Sequence, residues 1–150
     1  GKEMKIALGS DHAGFDLKEA IKKHLLEKGY EVLDEGPFTP ERVDYPDYGA
    51  KVGKIVAKKE ADFGIVCCGS AEGISISANK IKGIRCGIGY NDEVSKLLRQ
   101  HNDANMIAFA GRFMKVEEVL PRVDLFLSTP FEGGRHVTRV EKISALEKQD

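Results

Sequence analysis

Phe63-Gly64-Ile65-Val66-Cys67-Cys68-Gly69-Ser70-Ala71-Glu72-Gly73 is the stretch from which the rest of the chain can be read. Its first six residues are a continuous apolar run, the pattern of a strand in a sheet covered on both faces. A glycine-bearing turn and a short helix over Gly73–Lys80 follow. The same alternation continues outward in both directions. Toward the amino end, Met4–Leu8 reads as a strand. The spacing of Phe15, Leu17, Ala20, Ile21, Leu25 and Leu26 predicts a helix over Phe15–Lys28, stopped by Gly29. Tyr30–Leu33 is a second, short strand. Glu35–Pro46 holds three of the five prolines and reads as a loop. Asp47–Lys59 is a helix with Val52, Ile55 and Val56 on one face. Toward the carboxyl end come a strand at Ile84–Gly89, a helix at Asp92–Gln100, a strand at Met106–Ala110 and a helix at Val116–Leu127. Pro121 is tolerable there near a first turn or a kink. A last helix covers about 139–148. Five strands alternating with helices predict an α/β fold, a three-layer α/β/α sandwich around a parallel sheet with right-handed crossovers.

The bulk numbers bound the function. At 150 residues the chain suits a single domain, 1–150, with a full core, Gly1–Glu3 being read as an addition ahead of a native Met4. A formal net charge of -1 argues against nucleic-acid binding through a general basic field. No apolar run approaches the ~20 residues of a membrane helix, and no signal peptide precedes the first strand. Three cysteines, two of them adjacent, argue against a disulfide framework and for a reducing, cytoplasmic setting.

In parallel sheets, ligands bind beyond the carboxyl ends of the strands. The polar residues there are Ser10-Asp11-His12, Cys68-Gly69-Ser70 and Gly111-Arg112. After Cys68 the chain turns into a helix whose first N–H groups and partial positive charge can bind an anion or stabilise a thiolate. Alternation sends Cys67 and Cys68 to opposite faces. Cys67 and Cys86, inside strands, read as structural thiols. Cys68 is evenly balanced between structural and chemical roles. The loop is neither a Walker A sequence nor a GxGxxG. Ser10 or Asp11 can be read as a helix cap, which leaves His12 unexplained. His101-Asn102-Asp103 can be read as a polar helix end, and Asp44-Tyr45-Pro46-Asp47 as a turn and helix start. Arg135 and Arg139 would share a helical face and suit phosphate oxygens, or form a solvated basic face. His24, among lysines in a helix, reads as a surface residue. The histidines are scattered without metal-ligand spacing, so no metal is expected. Gly-x-Ser-x-Gly is absent, which counts against a serine hydrolase.

Taken in order, Ser10-Asp11-His12-Ala13-Gly14-Phe15, Val43-Asp44-Tyr45-Pro46-Asp47, Cys68-Gly69-Ser70, Ala78-Asn79-Lys80, Gly83-Ile84-Arg85, His101-Asn102-Asp103-Ala104-Asn105 and Gly133-Gly134-Arg135-His136 give a pattern over nearly the whole chain. It resembles the type B ribose-5-phosphate isomerases and their sugar-phosphate isomerase relatives. The resemblance implies a Rossmann-like topology and a homodimer, often paired into a homotetramer, with active sites at the subunit interface. It implies interconversion of ribose 5-phosphate and ribulose 5-phosphate through an enediolate, without cofactor or metal. By position it implies Cys68 as the base and Ser70 as the handler of hydroxyl protons. His101, with Asp11 assisting, would open the sugar ring, and Asn102 and the loop N–H groups would stabilise the enediolate. His12, Arg112, Arg135 and Arg139 would hold the phosphate, and Tyr45, Gly69 and Gly73 would line the sugar site.

The loop departs from the family's usual Cys-Gly-(Ser/Thr)-Gly-apolar-Gly at two places. Ala71 replaces a glycine, a restriction if positive φ is needed there. Glu72 puts a carboxylate beside the expected anion site. It either points to solvent at a helix start, which is favourable, or alters substrate preference. Ile74 stands where some relatives carry a glutamate base, so the cysteine route applies. The alternatives are an isomerase of a hexose 6-phosphate, such as allose or galactose 6-phosphate, and a non-catalytic sugar-phosphate-binding module.

Overall fold

The computed structural model describes residues 4–148. The reading of residues 1–3 as an addition lies outside them. The chain alternates β1 (Lys5–Ser10), α1 (Phe15–Glu27), β2 (Glu31–Asp34), α2 (Tyr45–Ala57), β3 (Phe63–Cys68), α3 (Glu72–Asn79), β4 (Cys86–Ile88), α4 (Asp92–Gln100), β5 (Met106–Ala110), α5 (Val116–Ser128) and α6 (His136–Ala145), with a final 3-10 turn at Leu146–Lys148. All strand pairs are parallel, in the order β2-β1-β3-β5-β4. The expected three layers are present. Ile6, Leu8, Ile65, Cys67, Ile107 and Phe109 face α1 and α5. Ala7, Val66, Cys68, Met106 and Ala108 face α2 and α3. Strands β1, β3 and β5 therefore carry apolar residues on both faces, which is why they read as unbroken runs.

Several boundaries differ from the expectation. Helix α2 begins at Tyr45, inside the stretch read as loop. Pro46 falls in its first turn, where its missing N–H has no helical partner to lose. Helix α6 begins at His136 rather than 139, and its last turn tightens into the 3-10 segment. Pro121 lies inside α5, past the first turn, on an exposed face. His24 is not a free surface residue: its Nε2 lies 2.8 Å from Asp124 Oδ1, joining α1 to α5.

The edge strand β4 is only three residues long and is closed by a side chain. The Asn79 amide donates to Cys86 O at 2.8 Å and accepts from Cys86 N–H at 2.7 Å, occupying the outer side of β4 as a neighbouring strand would. At the opposite side of the sheet, Lys18 is 1% exposed and its ammonium donates to Asp34 at 2.8 and 3.0 Å and to Glu19 at 2.8 Å. Asp34 in turn accepts from the Gly36 N–H at 2.9 Å, and Gly36 O accepts from the Ser10 N–H at 3.1 Å. This buried pair thus fixes the turn after β2 against the end of β1. No helix among the described residues is long and apolar enough to cross a membrane.

Candidate active site

The chain leaves β1 toward β2 on one side and later adds β3 on the other. That reversal opens a crevice at the carboxyl ends of β1 and β3. A cleft of about 270 Å³ lies there, with Asp11, Tyr45, Cys68, Ser70 and Arg112 among its walls. Gly69 and Gly73 complete its floor.

Each wall residue is fixed by its local structure. Cys68 ends β3 at 3% exposure, on the α2/α3 face. Cys67 points to the other face, where burial, followed by the neighbouring Cys68, pushes its thiol far up. Cys86 is likewise raised by burial, to about 12, so neither is a thiolate near neutral pH. Asp11 is buried and accepts from Gly14 N–H at 3.0 Å, so one oxygen does serve as a cap while the residue lines the cleft. Ser70 Oγ accepts from the Glu72 N–H at 3.3 Å. Arg112 is tied to the loop through its own N–H on Gly69 O, 3.1 Å, and that of Gly111 on Cys68 O, 2.8 Å. Gly73 must lack a side chain, because a Cβ there would run into the Tyr45 ring. His12 Nδ1 lies 3.2 Å from Val43 O and 3.3 Å from Val43 N. In the tautomer that accepts from Val43 N–H, Nε2 carries a proton and is a donor for an anion.

The two departures resolve physically. Ala71 adopts φ +70°, the left-handed conformation that glycine takes freely, and it is fully buried. Glu72 is exposed in the first turn of α3.

The remaining expected residues form a second group. His101, Asn102, Arg135 and Arg139 are not in this cleft. His101 and Asn102 follow α4 and precede β5, hence they sit at the amino end of the sheet, roughly 15 Å from its carboxyl end by strand length. A roomier cleft of about 590 Å³ between the β4 edge and α6 has Asn102 on its wall but holds none of the β3 loop. His101 stacks on His136, with centroids 4.2 Å apart and planes 15° from parallel. Burial, followed by the nearby His101 and Arg135, holds His136 below the usual imidazole range, with Glu132 opposing. The sequence reading did not foresee this stack, since its partners are distant in the chain. The histidines, scattered along the sequence, are not all apart in space: ligand atoms of His101, Glu132 and His136 lie within 4.8 Å of one another. Rings stacked nearly parallel do not aim their in-plane lone pairs at a common point, as a tetrahedral ion requires.

The chain matches the model of the ribose/galactose isomerase family over residues 6–143. It is 48% identical over 145 residues to ribose-5-phosphate isomerase B of Escherichia coli, covering 97% of each chain. It superposes with TM-score 0.96 on the ribose-5-phosphate isomerase B of Clostridium thermocellum, at 48% identity over 97% of this chain and 99% of that one. With the Mycoplasma genitalium ribose-5-phosphate isomerase B carrying bound ribulose-5-phosphate, the TM-score is 0.95 at 38% identity, over 100% of both chains.

Proposed function

This chain belongs to the ribose/galactose isomerase family, and from that premise we propose that Cys68 is the base with which it interconverts ribose 5-phosphate and ribulose 5-phosphate. The chain is an aldose–ketose isomerase. A proton beside a carbonyl is weakly acidic, so the reaction needs a positioned base and an oxyanion site. Cys68 as thiolate takes the C2 proton of the open-chain aldose, and charge gathers on O1. Return of that proton to C1, with transfer of the O2 proton to O1, gives the ketose. Ser70 handles the hydroxyl protons, while Asn102 and the N–H groups of Gly69 and Gly73 stabilise the enediolate. His101 opens the furanose ring with help from Asp11. His12, Arg112, Arg135 and Arg139 hold the phosphate, and Tyr45 lines the sugar site.

One active site draws on two copies of the chain in this reading. Cys68, Ser70, Asp11, His12, Tyr45 and Arg112 come from one copy, and His101, Asn102, Arg135 and Arg139 from a second. The support is topological: within one chain these groups stand at opposite ends of the sheet. No metal or cofactor enters the reaction as proposed.

The observation that carries the proposal is the placement of Cys68 at the end of β3, in a cleft shared with Asp11, Ser70 and Arg112. The test is turnover of ribose 5-phosphate, beside allose and galactose 6-phosphates, by wild type and Cys68→Ala in EDTA. Pentose turnover that EDTA leaves intact, and that Cys68→Ala loses without unfolding, is expected. Substantial residual turnover in the variant would remove Cys68 as base. Faster hexose turnover would change the substrate.

A further inference from the structure

Two arginines pin the backbone that carries His101. Arg85 donates through Nε to Asn102 O at 2.9 Å and through Nη2 to Asp103 O at 2.7 Å. Arg99, packed over Phe63, donates through Nη1 to Asp103 Oδ1 at 2.9 Å and to Ala104 O at 2.7 Å. Neither arginine reaches the His101 ring. Among the described residues that ring makes no hydrogen bond within the protein; the Glu132 carboxylate lies within 4.8 Å of it, and the His136 ring is the group stacked on it.

His136 is built as a platform. It opens α6, its N–H donates to Gly133 O at 3.1 Å, and it is 3% exposed. Its Nε2 is buried without a hydrogen bond and stands 3.7 Å from Glu132 Oε1. An unpaired buried nitrogen costs stability, and it leaves the flat face of the ring as what His136 offers its neighbour. That face confines the plane of the His101 ring. It also offers π density should His101 become a cation while moving a proton.

We infer that His136 is a positioning residue for ring opening: its face orients the His101 imidazole without touching substrate. This rests on the proposed role of His101. The lowered proton affinity of His136 agrees with it, since a neutral ring does not set two cations face to face.

The chemistry of the two substrates supplies a selective readout. Ribose 5-phosphate closes a furanose through O4 and must be opened. Ribulose 5-phosphate has O5 blocked by phosphate, so it cannot close a furanose and enters acyclic. The measured quantity is the ratio of kcat/KM for isomerisation of ribose 5-phosphate to the rate constant for exchange of the ribulose 5-phosphate C1 proton with solvent deuterium, since that exchange forms the enediolate without any ring opening or closure. In His136→Ala the ratio is expected to fall on the order of 10-fold to 100-fold, the scale of a misplaced catalytic group. His136→Phe, which restores a flat face, should bring most of it back. His136→Gln fills the space without a ring and replaces the alanine variant if that one fails to fold. An unchanged ratio in the folded ring-less variant overturns the inference, as does a phenylalanine variant no better than it. His101→Asn separates the two levels. If it lowers the ratio and loss of the His136 ring does not, only this inference fails. If His101→Asn leaves the ratio unchanged, the reading of His101 fails and takes this inference with it.

Discussion

Ala71 holds φ +70° in a fully buried position, immediately before the helix that follows Cys68. A left-handed conformation costs an L-residue about 1–2 kcal/mol, whereas glycine takes it freely but loses more backbone entropy on folding. Ala71→Gly should therefore raise stability by up to about 1 kcal/mol, a gain of about 2–4 °C in Tm for a chain of this size, read by thermal unfolding. A lower Tm would mean that the alanine methyl contributes more packing than its backbone costs. The two adjacent thiols differ for a reason that a strand makes plain. Alternation sent Cys67 to the α1/α5 core, while Cys68 meets the cleft. Cys67→Ala should retain turnover, and Cys68→Ala should lose on the order of 10²-fold to 10⁴-fold, both followed as isomerisation rates. The opposite facing of the two thiols was legible from period two alone. The His101–His136 stack was not, because no periodicity links a helix end to a later helix start.

Elements show the same division. Strands β1, β3 and β5 announced themselves as apolar runs because both their faces are covered. The start of α2 did not, since prolines that punctuate a loop also sit comfortably in a first helical turn. The Lys18–Asp34 pair lies between an otherwise ordinary helix and strand, and nothing in the pattern of α1 told Lys18 from its solvated neighbours. Breaking such a buried pair leaves a charge without its partner. Asp34→Ala should cost about 3–5 kcal/mol, measured by chemical denaturation, and should loosen the Gly36 turn that meets Ser10. A loss below 1 kcal/mol would show that Glu19 alone compensates Lys18.

For the whole molecule, acid is the informative condition. Burial pushes Asp34 upward, but hydrogen bonds from Lys18, the Gly36 N–H and Lys22 outweigh it and hold the carboxyl below its ordinary value. The resulting stability is complete above the unfolded carboxyl pKa near 4 and is lost as pH falls through the lower folded value. Unfolding free energy should therefore decline below about pH 4 in wild type and less steeply in Asp34→Asn; equal slopes would contradict this. The proposed sharing of one site between two copies has its own test. Cys68→Ala and His101→Ala should each be inactive alone. Mixed after unfolding and refolding together, they should regain about a quarter of wild-type activity, since half of randomly formed pairs are mixed and each mixed pair holds one intact site. No recovery would place both groups in one chain. The layered sheet and the gathering of Asp11, Cys68, Ser70 and Arg112 beyond the strand ends could be read from the sequence because they follow from local pattern. The separation of the two halves follows from strand direction, which the apolar runs implied but did not display.

The Asn79 amide on the outer side of β4 has a consequence for how copies can meet. Both polar backbone groups of Cys86 that face outward are already satisfied, so a neighbouring chain finds only the outward groups of Ile88 there, too short a stretch for a ladder. Contact across that border must be made by side chains, and the sheet ends where the single chain ends it. Such a boundary also denies the nascent or heat-loosened protein one route by which exposed strand borders recruit each other into fibrils.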